Sequence, residues 1–115
     1  MFGIMMDKQL NIADILEYAA LYNTDAEIVT NTVEGGYHRY GYNDALLRSK
    51  QLANALRTLG VEQGDRVATL AWNTYRHFEL YYAISGMGAV THTINPRLFA
   101  EQIIYIINHA ENEFV

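Results

Sequence analysis

The stretch GVEQGDRVATLAWNTYRHFELYYAISGMGAVTHTINPRLFAEQIIYIINHA, residues 60–110, decides the fold of this chain. Within it, residues 66–72 form a short apolar run that follows the turn Glu62-Gln63-Gly64-Asp65, and this run predicts a buried strand. Residues 89–94 are apolar and β-branched enough to predict a second strand. A segment with helical periodicity follows each strand, which is typical of a parallel α/β unit. We therefore expect the two strands to pair in parallel through a right-handed crossover.

Two helices are predicted to accompany these strands. The first spans about residues 74–86 and ends at Gly86-Met87-Gly88. Its helically spaced face, which we expect to lie on the sheet, consists of Phe78, Tyr81, Tyr82 and Ser85. The second helix follows Asn95-Pro96, and its apolar positions are Phe99, Ile103, Ile106, Ile107 and Ala110.

Three further elements are predicted before this βαβα unit. Residues 10–22 form a helix with Asn11 as its N-cap, and residues 28–33 and 37–40 form a hairpin around Glu34-Gly35-Gly36, which we expect at the edge of a sheet. Residues 43–59 form a long helix that Gly60 ends. Its inner face is predicted to contain Ala45, Ser49, Leu52, Ala53, Leu56 and Leu59, while Arg48, Lys50 and Arg57 lie outside.

Composition excludes several classes of protein. The 115 residues suit one globular domain, with 50% hydrophobic residues and charges spread along the chain. Thirteen acidic residues outnumber eight basic ones and no basic cluster occurs, which argues against binding to nucleic acid or to an anionic membrane. The chain contains no cysteine, no secretory signal pattern and no transmembrane run. We expect a cytoplasmic protein.

Candidate binding residues lie where the two predicted strands end, because ligands in open α/β sheets collect at the carboxyl ends of the strands. The two segments there are residues 72–74 and residues 93–97. We expect Asn73 and Asn95 to cap the helices that follow, with direct contact to a substrate as the alternative. Arg97 could pair with an acyl or phosphate group, although an exposed arginine at a helix start or a bridge to a neighbouring domain is favoured.

Other motifs indicate structure rather than chemistry. The glycines of Gly86-Met87-Gly88 follow a helix and precede a strand, the reverse of a dinucleotide fingerprint, so we interpret them as a tight turn. His38, His77, His92 and His109 are too scattered for a metal site. We expect His92 to be a hydrogen-bonded interior histidine on the second strand.

Three motifs carry a family resemblance: GDRVATLAWN at residues 64–73, GMGAVTHTINPRL at 86–98 and EQIIYIINHAE at 101–111. They resemble the N-terminal part of the adenylate-forming acyl-CoA synthetases, most closely those acting on medium- or long-chain fatty acids. The resemblance spans residues 10–115. It implies an α/β fold in which a parallel βαβα unit, preceded by a helix and a hairpin, forms part of the N-terminal domain.

The resemblance also implies that these residues belong to a longer chain whose catalytic motifs lie elsewhere. Such an enzyme activates a carboxylic acid with Mg-ATP to an acyl-adenylate and transfers the acyl group to coenzyme A. Its catalytic motifs include a Gly/Ser/Thr-rich loop ending in Pro-Lys, and none of them occurs in residues 1–115. We therefore assign no catalytic, cofactor-binding or metal-binding residue here and expect one inactive scaffold segment, residues 1–115, of a larger AMP-binding domain.

The end of the chain supports the expectation of a longer protein. Glu113-Phe114-Val115 predicts the start of a third strand that would continue beyond it. Unpaired strand edges predict self-association, as in a homodimer. The alternatives are another adenylate-forming enzyme, such as an aryl-CoA ligase or an adenylation domain, a free-standing interaction module, and a small nucleotide-binding domain.

Overall fold

The computed structural model describes residues 3–115, which form four helices and four strands. The elements follow one another as a helix, a hairpin, a long helix and a strand–helix–strand–helix unit. In chain order they are α1 (Ile12–Tyr22), β1 (Glu27–Asn31), β2 (Tyr37–Gly41), α2 (Tyr42–Thr58), β3 (Arg66–Leu70), α3 (Tyr75–Gly86), β4 (Val90–Ile94) and α4 (Ala100–His109).

The parallel unit has the predicted strand pairing. β3 and β4 pair in parallel with Val67 opposite Thr91, and α3 connects them. The predicted third strand begins on the other side of β3, where Phe114 forms a parallel bridge with Val67 and its carbonyl accepts a hydrogen bond from the Ala68 amide at 2.8 Å. The prediction of a parallel sheet that a third segment extends is therefore confirmed.

The turn at Gly86-Met87-Gly88 is a helix C-cap, as predicted, and not a phosphate loop. Gly88 has a φ of 88°, and its amide and that of Ala89 bond the carbonyls of Ser85 and Ile84. This pair of hydrogen bonds is the Schellman motif, which ends a helix through one left-handed residue. The carbonyl of Gly88 then accepts a bond from the Gly64 amide, so the turn also fixes the loop before β3.

Replacing Gly88 by alanine tests this turn. A Cβ atom at Gly88 would lie 3.0 Å from Gln63 Cγ, and the alanine would have to keep the left-handed backbone conformation of this position. We therefore expect the free energy of unfolding to fall by about 1–2 kcal/mol. Gly86→Ala is the matched control, since its Cβ would meet only Ala13 Cβ at an ordinary 3.7 Å. Urea denaturation that gives equal stabilities for the two variants would contradict the assignment.

The hairpin is confirmed, but its predicted place at the edge of a larger sheet is wrong. β1 and β2 pair antiparallel, with Ile28 opposite Tyr40, and form a separate two-stranded sheet among the described residues. One face of this hairpin packs on the helices instead, because Tyr40 and Ile28 join a cluster with Leu16 of α1 and Ala45 of α2. Helix packing therefore decides where the hairpin lies.

Helix α3 lies between two apolar clusters, which corrects its predicted face. Ile84, which is fully buried, packs with Leu80 against Val67 of β3. Phe78 and Tyr82, predicted to lie on the sheet, pack instead in the cluster with Leu16, Tyr40 and Ala45. Of the predicted face, Ser85 contacts the sheet through a 2.8 Å hydrogen bond to Thr91. A helix that is apolar on several sides gives no unique face from periodicity alone.

The N-terminal helices begin and end near the predicted positions, with three corrections. Asn11 occupies the N-cap position of α1, but its side chain makes no capping bond. Leu59 is 72% exposed, because α2 ends at Thr58 and Gly60, with φ of 98°, turns the chain away. Arg48 does lie at the surface, yet its guanidinium reaches inward to Glu79. No helix within residues 3–115 is long and apolar enough to cross a membrane.

Candidate functional site

The two segments predicted as the ligand-binding rim come together in one cleft. The cleft has a volume of about 1120 Å³ and lies where β3 and β4 end. Residues 72–74 and 93–97 form two of its walls, as the sequence predicts. The hairpin supplies a third wall through Ile28, Thr30 and Val33, and α3 a fourth through Phe78 and Tyr81. We call this the rim cleft.

Three side chains form a hydrogen-bonded chain that runs from the rim cleft, which Asn73 and His77 line, to the buried Thr69. Thr69 Oγ1 is 3.0 Å from His77 Nε2, and His77 Nδ1 is 3.3 Å from Asn73 Oδ1. Since a carbonyl oxygen can only accept, His77 Nδ1 donates to Asn73 Oδ1, and the Thr69 hydroxyl can pair with Nε2 as either donor or acceptor. The two hydrogen bonds hold the imidazole in one orientation.

This arrangement corrects the predicted role of Asn73. The N-cap of α3 is Thr74, whose side chain makes no capping hydrogen bond. The side-chain oxygen of Asn73 instead forms a hydrogen bond with the ring of His77, one helical turn later. The i, i+4 spacing of the two residues was the available signal in the sequence. The sequence reasoning assigned His77 only to a scattered set of histidines and missed its place in the rim cleft.

Asn95 also differs from its predicted role, whereas Arg97 is exposed shortly before α4, in line with the interpretation that the sequence favoured. Asn95 Oδ1 accepts a 2.9 Å bond from the Arg97 amide, which closes a turn, while the N-cap of α4 is Phe99. Because asparagine side chains readily bond the backbone two residues on, this turn competes with helix capping. The Arg97 guanidinium lies 5.3 Å from the centre of the Trp72 ring, a cation–π contact that joins the two rim segments.

A double-mutant cycle measures the contact between the two rim segments. Arg97→Gln and Trp72→Leu should show a coupling free energy of about 0.5–1 kcal/mol, as cation–π pairs at exposed sites do. Pairing Trp72→Leu with Arg39→Gln on the hairpin should give no coupling, since Arg39 pairs with Glu27. Additive effects of Arg97→Gln and Trp72→Leu in urea denaturation would show that the contact contributes nothing.

The remaining histidines serve separate parts of the fold. His92 is partly buried and its Nδ1 lies 3.0 Å from Asn112 Oδ1, so the predicted hydrogen bond is confirmed. His38 stacks on Tyr75, and His109 stacks on Tyr105. Within residues 3–115 no three side chains of metal-ligating type form a group that could hold an ion.

The electrostatic character of the rim cleft is mildly cationic. Its lining residues in the described chain carry one charged side chain, that of Arg97, among aromatic, aliphatic and neutral polar groups. Burial, with smaller contributions from the neighbouring Tyr81 and Tyr42, raises the pKa of Tyr82, so its phenol stays neutral. Such a surface suits binding through apolar and cationic contacts. The ring nitrogens of His77 already form hydrogen bonds, one to Asn73 and one to the buried Thr69.

Comparison with curated proteins gives relatives along the whole chain. The chain is 50% identical over 115 residues to the medium-chain-fatty-acid–CoA ligase of Ectopseudomonas oleovorans, covering 100% of this chain and 21% of that protein. It is 50% identical over 109 residues to the long-chain-fatty-acid–CoA ligase of Thermus thermophilus, covering 95% of this chain and 20% of that protein. The chain thus spans about one fifth of the length of these relatives.

Solved structures and a family profile agree with this result. The N-terminal domain of FACL13 from Mycobacterium tuberculosis superposes with a TM-score of 0.84 at 27% identity, covering 93% of this chain and 26% of that one. The predicted fold, an α/β part of the N-terminal domain of acyl-CoA synthetases, is confirmed. The family described as AMP-binding enzyme matches residues 16–115. This chain therefore belongs to the AMP-binding enzyme family.

Proposed function

We propose that this chain is the N-terminal scaffold segment of a fatty-acyl-CoA ligase. The complete enzyme activates a carboxylic acid with ATP to an acyl-adenylate and then transfers the acyl group to coenzyme A. The 50% identity to a medium-chain and to a long-chain fatty-acid–CoA ligase, across nearly the whole chain, supports this substrate class. The share of about one fifth of those relatives supports a segment of a longer protein.

The observation that carries the scaffold role is the parallel sheet with its cleft at the strand ends. β4, β3 and the bridge at Phe114 form a sheet, and the rim cleft opens at the carboxyl ends of β3 and β4. In this proposal the segment supplies one wall of the acyl or nucleotide pocket, and the rest of the enzyme supplies the chemistry. The described residues that line the cleft include no carboxylate, and the proposal assigns the magnesium ligands to the rest of the enzyme.

ATP–pyrophosphate exchange by the complete protein tests the proposed activity. The assay uses a panel of carboxylic acids that includes acetate, octanoate, palmitate and benzoate. We expect exchange that depends on a fatty acid, followed by thioester formation when coenzyme A is added. Exchange with benzoate or an amino acid alone would instead favour an aryl-CoA ligase or an adenylation domain. No exchange with any acid would contradict the proposal.

We also propose that the protein is cytoplasmic and self-associates. Among the described residues β4 pairs only with β3, which leaves its outer edge open for another strand. Apolar side chains on β4 and in the segment that follows it are exposed, including Val90 at 50%, Phe99 at 79% and Tyr105 at 66%. Light scattering of the complete protein should give a dimer mass, and a monomer at high concentration would contradict self-association.

A further inference from the structure

A second cavity lies between α1, α2 and α3, apart from the strand ends that form the rim cleft. Its volume is about 300 Å³, at the lower limit for small-molecule sites. Small residues at the helix contacts leave this space open: Ala13 of α1, Ala53 of α2, and Ala83 and Gly86 of α3. We call it the three-helix pocket.

A buried hydroxyl faces this pocket without a partner. Ser49 is 4% exposed, lines the three-helix pocket, and its Oγ makes no hydrogen bond among residues 3–115. Buried polar atoms in folded proteins nearly always have a partner, which is a protein group, a water molecule or a ligand. A water molecule or a polar ligand atom inside the pocket would give this hydroxyl a partner.

The charges around the pocket favour an anion. Lys50 and Arg57 of α2 line it together with Glu17 of α1, and Lys50 already pairs with Glu17 at 3.3 Å. Arg57 makes no ion pair within the described chain, so one positive charge at this site is uncompensated. A planar guanidinium binds carboxylate and sulfonate groups through two parallel hydrogen bonds.

The deeper walls are apolar. Leu16, Leu46 and Met87 line the pocket with the alanines already named, and Met87 is only 9% exposed. We propose that the three-helix pocket binds a single-chain anionic amphiphile, with its head group at Arg57 and its apolar chain between the three helices. The proposal does not rest on the activity proposed above, because this pocket lies away from the strand ends and shares only Tyr82 with the lining of the rim cleft.

Binding of 1-octanesulfonate to the complete protein tests the proposal. This probe has an anionic head and an apolar chain, but its sulfonate has no carboxyl group to adenylate. The methyl group of Met87 is the reporter, with methionine-methyl labelling and its resonance assigned from Met87→Leu. We expect a saturable shift of this resonance, about five-fold weaker binding in Arg57→Gln, and no shift in Ala53→Phe, whose larger side chain fills the pocket.

Arg39→Gln is the matched control, because it removes one exposed arginine from the hairpin and should leave binding unchanged. Arg57 is an exposed residue near the end of α2, so its variant keeps the test valid even if Ala53→Phe does not fold. Equal affinities for Arg57→Gln and Arg39→Gln, or a shift that never saturates, would overturn the proposal. Binding to anionic phospholipid vesicles without any binding of octanesulfonate would overturn it as well.

Discussion

Ile84→Ala is expected to lower the free energy of unfolding by about 3–4 kcal/mol. Ile84 is fully buried in the centre of the cluster that joins α3 to the parallel sheet. The other buried members of this cluster are Val61, Val67, Met87 and Ala89. Because close-packed neighbours relax only partly, the variant loses both the transfer free energy of three carbons and the contacts around the cavity.

Ile104→Ala on α4 is the matched control for this prediction. Ile104 is 59% exposed, so the same chemical change there should cost less than about 1 kcal/mol. Urea denaturation followed by circular dichroism measures both variants. A loss below 1 kcal/mol for Ile84→Ala would mean that α3 is not anchored to β3 as described.

Arg48→Ala is expected to destabilise the fold by about 2–3 kcal/mol. Its partner Glu79 is only 5% exposed, and the two side chains form a two-point contact through Nε–Oε1 at 2.7 Å and Nη2–Oε2 at 3.2 Å. The hydrogen bond to Glu79 raises the pKa of Arg48, despite some opposing desolvation. Without the arginine, a buried carboxylate between α2 and α3 loses its charge partner. The expected loss is below that of a fully buried pair, because the Arg48 side chain is about half exposed.

Two further variants distinguish the loss of the ion pair from the loss of an exposed arginine side chain. Arg57→Ala removes an exposed arginine from the same helix and should change stability by less than about 0.5 kcal/mol. The double variant Arg48→Leu with Glu79→Leu should recover most of the loss, since both charges leave together. If Arg48→Ala unfolds at the same urea concentration as Arg57→Ala, the contact does not stabilise the fold.

The parallel unit could be predicted because its signals are local. The apolar runs at β3 and β4 are short and bounded by turns, and Gly88 ends α3 in the one conformation that favours glycine. The alternation of strands and helices predicted the parallel pairing. The positions where the two strands end predicted which segments would line the rim cleft. The start of a third strand at Phe114 was predictable from its apolar sequence in the same way.

The contacts between distant residues could not be predicted. Glu79 lies 31 residues after Arg48, and nothing local indicates that a carboxylate on α3 is buried against α2. The hairpin wall of the rim cleft likewise depends on the packing of Tyr40 and Ile28 on the helices. Asn73 was assigned to the wrong partner because its amide can bond either a backbone amide or a ring one turn away.

The central claim is that residues 1–115 support chemistry carried out elsewhere in the enzyme. Calorimetric titration with Mg-ATP, on the 115-residue chain and on the complete protein side by side, tests this claim most directly. We predict saturable binding by the complete protein and no measurable heat of binding for the 115-residue chain. Equal affinity of the two would contradict the account, because this segment would then form a nucleotide site of its own.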